Sequence, residues 1–191
     1  MGRGRSARVR PWTGGVLLVA VAAAGLGLYW FQPWKLWQDE TVNEALPATA
    51  DVDASRAPAQ GPSSRKPSTP PPAEPVTLAA GDLISHEHAT SGTVKLVRLA
   101  DGSHVVRLED LDTSNGPDLR VLLTDAPVKE GRAGWHVFDD GKHVGLGRLK
   151  GNKGSQNYTV PTGIDPARYS SVSIWCDRFD VSFGAAELAL A

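Results

Sequence analysis

The stretch that most limits how this chain can fold is Tyr169–Gly184, Tyr-Ser-Ser-Val-Ser-Ile-Trp-Cys-Asp-Arg-Phe-Asp-Val-Ser-Phe-Gly. Val172, Ile174 and Cys176 alternate with Ser171, Ser173 and Trp175, the two-residue period of a strand with one apolar face. Phe179, Val181 and Phe183 resume the alternation with Asp180 and Ser182 after Asp177-Arg178. The pattern predicts two strands joined by a tight turn. Cys176, the only cysteine, then faces the core at the end of its strand, shielded by aromatics yet close to the rim.

The same period recurs upstream over Thr93–Leu99, Ser103–Leu108, Leu119–Thr124, His143–Leu149 and Gln156–Val160. Turn signals separate these runs, among them Ala100-Asp101-Gly102, Ser114-Asn115-Gly116-Pro117, Asp139-Asp140-Gly141 and Gly151-Asn152-Lys153-Gly154. No part of residues 78–191 keeps a helical period. About seven short strands at this spacing predict an all-β domain, an antiparallel β-sandwich or barrel, over residues 78–191. That length suits one domain able to fold without what precedes it.

Residues 13–32 read differently. Thr13 to Phe31 carries no charge and is rich in Val, Leu, Ala and Gly. A bilayer core needs about 20 apolar residues of helix, so this run suffices. A cleaved signal peptide would be followed by a small-residue cleavage site. Tyr29-Trp30-Phe31-Gln32-Pro33-Trp34-Lys35-Leu36-Trp37 follows instead, and the first Ala-x-Ala beyond the apolar run is Ala48-Thr49-Ala50. Trp12 at one end and Tyr29, Trp30, Trp34 and Trp37 at the other resemble interfacial belts. The expectation is an uncleaved, single-pass transmembrane helix. The preceding tail, residues 1–12, holds Arg3, Arg5, Arg8 and Arg10 and no acid, which keeps it in the cytoplasm and places the rest outside.

Residues 33–77 form a juxtamembrane segment and a linker rich in Pro, Ala and Ser. Thr41–Thr77 holds eight of the 14 prolines and no periodic apolar face, so it is expected to be a disordered tether. The charges nearly cancel, 20 Lys and Arg against 21 Asp and Glu, which gives no reason to expect a nucleic-acid partner. The Ala-, Gly- and Arg-rich composition points to a high-GC bacterium.

One cysteine excludes an intramolecular disulfide, a Cys-x-x-Cys exchange site and covalent c-type haem within the chain. The folded part has no methionine, which excludes a Met-ligated haem and a blue-copper site with axial Met. The remaining donors are Cys176 and five histidines, His86, His88, His104, His136 and His143. His86-Glu87-His88 puts two histidines on one face if extended, and with Cys176 they could line a metal or haem pocket. That requires the segment to lie beside the C-terminal hairpin; otherwise both are solvated residues at a domain edge. Arg178 would lower the thiol pKa, whereas Asp177 and apolar burial would raise it. Asp110–Gly116 has the wrong spacing for a calcium loop. No serine–histidine–acid arrangement stands out, so a catalytic role has no support.

The folded part resembles the DM-thirteen domain, also called the electron-transfer DM domain. The resemblance rests on His88-Ala-Thr-Ser-Gly-Thr-Val94, Asn115-Gly-Pro-Asp-Leu119, Leu149-Lys-Gly-Asn-Lys-Gly-Ser-Gln-Asn-Tyr158, Val172-Ser-Ile-Trp-Cys176 and Phe179-Asp-Val-Ser-Phe-Gly184. It implies a β-sandwich in an extracellular or membrane-tethered protein. It also implies a redox role for the cysteine matched by Cys176, as a bare thiol or as a ligand to a group such as haem. A redox partner protein in the envelope would follow. The rival expectation is a non-redox binding or scaffolding domain in which Cys176 is a buried apolar filler.

The topology expectation is directly testable. A reporter fused after Ala191 should be active only outside the cytoplasm, and neutralising Arg3, Arg5, Arg8 and Arg10 together should scramble its orientation. A soluble product whose N-terminus begins after residue 40 would overturn the anchor.

Overall fold

The computed structural model describes residues 11–47 and 74–191. The basic tail (1–10) and most of the expected tether (48–73) lie outside the described residues. Helix α1 spans Pro11–Phe31. At about 1.5 Å per residue it is long enough to cross a hydrocarbon core, and its membrane-length window is apolar with none of it buried in the protein. Gln32, in the left-handed region (φ 43°), ends the helix, and a 3-10 turn follows over Pro33–Trp37.

Eleven strands follow among the described residues: β1 Thr41–Asn43, β2 Val76–Asp82, β3 Ile84–Ser85, β4 Ser91–Arg98, β5 His104–Asp112, β6 Leu119–Thr124, β7 His143–Arg148, β8 Lys153–Thr159, β9 Ser171–Cys176, β10 Val181–Glu187 and β11 Ala189–Leu190. They form two sheets, β1-β8-β5-β4-β2-β11 and β3-β10-β9-β6-β7. All seven strands expected from the alternation are present. Every pairing is antiparallel except β1 with β8. Between the sheets lies one core, to which β4 and β5 give Val94, Leu96, Val106 and Leu108, and β6, β9 and β10 give Val121, Leu123, Val172, Ile174, Cys176 and Phe183.

Two expectations about the C-terminal hairpin need correction. Phe179 does not begin the second strand; it lies in the turn, 38 % exposed, and β10 starts at Val181. Nor is the second face of β9 an outer, polar face, because every residue from Ser171 to Cys176 is buried. The chain between β6 and β7 folds back over this face and packs Ala126 and Phe138 against Trp175, Leu122 and Ala185. Serines tolerate that burial only if their hydroxyls are bonded. Ser171 Oγ donates to the Ala126 carbonyl (2.6 Å), and the Ser173 and Ser182 hydroxyls bond each other (2.9 Å).

The tether does not begin at Thr41. The Glu40 carbonyl accepts from Lys153 N–H (3.1 Å) and Glu44 N–H donates to the Ser155 carbonyl (2.8 Å), so β1 extends the sheet along β8. Asn152, 1 % exposed, accepts from Glu40 N–H (2.7 Å) and donates to Asp39 Oδ1 and to the Thr113 carbonyl (both 2.8 Å). Gly154 (φ 91°) belongs here for two reasons: its backbone is left-handed, and a Cβ would sit 2.3 Å from the Val42 carbonyl oxygen.

Melting the fragments 38–191 and 74–191 side by side measures this docking. Each hydrogen bond lost is worth about 1 kcal/mol net, part of which is offset by the released chain entropy. The shorter fragment should therefore melt on the order of 10 °C lower. Equal melting temperatures would show that β1 adds nothing to stability.

Candidate functional site

Cys176 is the last residue of β9, fully buried on the inner face, between Leu119 of β6 and Val181 of β10. The turn Asp177–Asp180 closes directly over it. Phe179 N–H donates to the Cys176 carbonyl (3.2 Å), and Asp180 takes a left-handed conformation (φ 57°) that returns the chain into β10. Burial pushes the thiol pKa up, and the carboxylate of Glu87 adds to the rise. The backbone of Phe179, Arg178 and Asp118 acts in the opposite direction. Burial is the larger effect, so the resting group is the neutral thiol.

Arg178 does not act as expected. Its guanidinium lies 5.3 Å from the centre of the Trp30 ring and donates to the Trp30 carbonyl, away from the sulfur. Asp177 is paired with Arg120 (3.3 Å).

The segment holding His86 and His88 does lie beside the C-terminal hairpin. His86 N–H donates to the Phe183 carbonyl (3.0 Å) and Glu87 N–H to that of Ser182 (3.2 Å). The two rings nevertheless go to different places, because the chain bends at Glu87 instead of remaining extended. His86 is buried on the outer side of the sheet, stacked on Phe138. Its Nδ1 bonds Ser182 Oγ (2.8 Å) and its Nε2 bonds the Lys129 carbonyl (3.1 Å). A carbonyl can only accept, so Nε2 carries the proton and Nδ1 accepts from Ser182. His88 is half-buried with its ring 4.0 Å from that of Phe183, and its Nε2 is 3.9 Å from Glu87 Oε2.

This donor set does not fit a haem or a metal. Both nitrogens of His86 are committed, Cys176 is sealed on the other side of the sheet, and no three His, Cys, Asp or Glu side chains cluster among the described residues. The opening near the thiol is a cleft of about 260 Å³ lined by Glu87, His88, Gly116, Pro117 and Phe179 of the domain, by Phe31 at the end of the helix and by Gln32, Pro33 and Lys35 after it. That is small for a cofactor, since ligand pockets begin at about 300 Å³. Cys176 does not line the cleft, but Phe179 and the Gly116-Pro117 pair that precedes Asp118 separate the two. Sequence reading missed Glu87 and Asp118; a lone acid beside two histidines and a turn residue carried no signal of their own.

The two sheets, the single inward thiol and the hairpin that covers it define a β domain with one protected sulfur. Residues 82–188 match the family model described as Electron transfer DM13, and the chain belongs to that family. Comparison with curated proteins and with solved structures finds no match.

His86 gives this region a pH signature. Burial lowers its pKa below the ordinary 6.5, so on acidification the unfolded chain takes up this proton before the folded one does. The stabilisation is complete above pH 6.5 and is lost as the pH falls toward and through the folded value. His86→Gln should cost on the order of 1–2 kcal/mol at pH 7 and should flatten the fall in melting temperature from pH 6.5 to about pH 5. A variant as steep as the wild type over that range would show that His86 is not the titrating group.

Proposed function

We propose that this protein is a single-pass membrane protein that presents an electron-transfer domain outside the cytoplasm, with Cys176 as a bare redox thiol serving a partner protein in the envelope. The helix α1 and the arginine-rich tail before it support the anchoring and its direction. The observation that carries the redox reading is the seat of Cys176 in a member of this family: a fully buried sulfur at the end of β9, next to the turn whose Phe179 lines the cleft.

Because burial keeps the sulfur protonated, an electron cannot leave alone without stranding a charge in the core. One electron and the thiol proton pass together to a one-electron, one-proton acceptor on the partner, and a thiyl radical remains. Re-reduction returns both. Complete burial and the raised thiol pKa also favour a second reading, a non-redox envelope binding or scaffolding domain in which Cys176 only fills the core.

Variants at Cys176 separate the two. As a filler, Cys176→Ala should cost on the order of 1–2 kcal/mol for its small cavity, and Cys176→Ser at least as much for a buried hydroxyl. Native-state labelling of the wild-type thiol would then be slow, and stepwise chemical oxidation of the folded protein would yield no sulfur radical in its electron paramagnetic resonance spectrum. The redox reading expects a reversible one-electron step that disappears in both variants while the fold remains. Slow labelling, no such step and destabilised variants together would refute it.

A further inference from the structure

The chain between helix and domain is short and mostly fixed. Only Gln32–Glu40 separates α1 from β1. Within it Pro33–Trp37 is a 3-10 turn, the Gln38 carbonyl accepts from Asn115 Nδ2 (3.1 Å), and Asp39 pairs with Lys153 (3.3 Å) and Asn152 (2.8 Å). β1 and β2 belong to one sheet, so the link from helix to domain is Gln32–Glu40 and not residues 48–73. At the helix end Phe31 stacks on Phe179 with ring centres 5.6 Å apart, and Arg178 covers Trp30. Trp30, Phe31, Trp34, Trp37 and Phe179 all remain exposed there, between 38 % and 81 %. Five large exposed side chains at one end, with Lys35 and Arg178 among them, have the make-up of a surface that rests in lipid headgroups.

Resting on the reading of α1 as a membrane span, we infer that the hairpin turn Asp177–Asp180 is a lipid-contacting surface and that β1 clamps the domain there, with its Cys176 end toward the bilayer. The occupant of this surface is the headgroup layer, because Phe179 stacks on the last residue of the span itself. A redox partner would have to approach Cys176 from the plane of the membrane.

Energy transfer to a headgroup-labelled acceptor lipid tests this with the full chain in phosphatidylcholine vesicles. Arg148, at the end of β7 beside the cleft region, and Thr162, beyond β8, are exposed positions at opposite ends of the domain. Each is replaced by cysteine and carries a donor dye, Cys176 being buried. Strands of this length separate the two by roughly 20 Å, so the clamped domain should transfer about two-fold or more better from Arg148→Cys than from Thr162→Cys. Deleting residues 51–66 should leave that difference intact; enough chain remains to cross the four strand spacings, about 19 Å, between β1 and β2. Glu40 and Glu44 both bond β8, so Val42 between them faces it too, and Val42→Pro removes a strand bond. That change, and Phe179→Asp, which touches no strand, should each bring the two efficiencies together. Equal transfer from both positions in the unaltered strand background, or a difference that survives both substitutions, would overturn the clamp. Failure of the protein to float with vesicles would instead strike the anchor and the inference with it.

Discussion

The burial of β9 on both faces is the constraint on which the other features depend. It lies between β6 and β10, with the core on one side and the β6–β7 connection on the other. A strand sealed on both faces must satisfy every polar group internally. Ser171 does so through the Ala126 carbonyl, and Ser173 through a chain that runs by Ser182 and His86 to the Lys129 carbonyl. His86 is thereby a structural link between the covering segment and the sheet. Removing it would leave the Ser182 hydroxyl without an acceptor and the Lys129 carbonyl without that donor, which is costlier than never having placed them there.

For Cys176 the same sealing sets two effects against each other. Exclusion of water destabilises the thiolate, while the backbone of Phe179, Arg178 and Asp118 stabilises it, and the first wins. A reactive nucleophilic thiol needs the opposite balance, with a cation or helix N-terminus and access. Arg178 could have supplied the cation, but its guanidinium is spent on Trp30. What remains is ill suited to attack on a substrate, which needs an ionised and accessible sulfur.

The sequence made the strands legible because alternation is a local signal. The seven runs appear nearly where the period places them, and Cys176 faces the core at a strand end as Val172 and Ile174 require. Three features were not legible, each for a non-local reason. Ser171, Ser173 and Trp175 look like an outer face until the chain after β6 covers them. His86 and His88 share a face only if extended, and the bend at Glu87 separates them; at Gly184 a Cβ would meet Thr90 Cγ2 at 2.6 Å, so that crowded crossing admits no larger residue. Thr41–Asn43 is too short and too polar to show a period, and it becomes a strand only because β8 presents an edge that fits it.

That edge also explains a motif whose purpose is obscure from its residues alone. Within Leu149–Tyr158, Gly151–Gly154 reads as a hairpin loop leading into the next strand, and its glycines as turn formers. In the folded chain Gln156, fully buried, holds the loop closed: its Nε2 donates to the Gly151 carbonyl (2.6 Å) and its Oε1 accepts from Tyr158 (2.7 Å). Closure in this shape aims Asn152 at the backbone of residues 39 and 40, and bare Cα positions at 151 and 154 let β1 approach. A Cβ on Gly151 would lie 2.5 Å from the Glu40 carbonyl oxygen. The loop is therefore a receptor for a strand, and the strand it receives is the one that follows the helix. Loop geometry at one end of the sheet thus decides how far the whole domain stands from the end of α1, a distance that the length of the Pro-rich segment does not control.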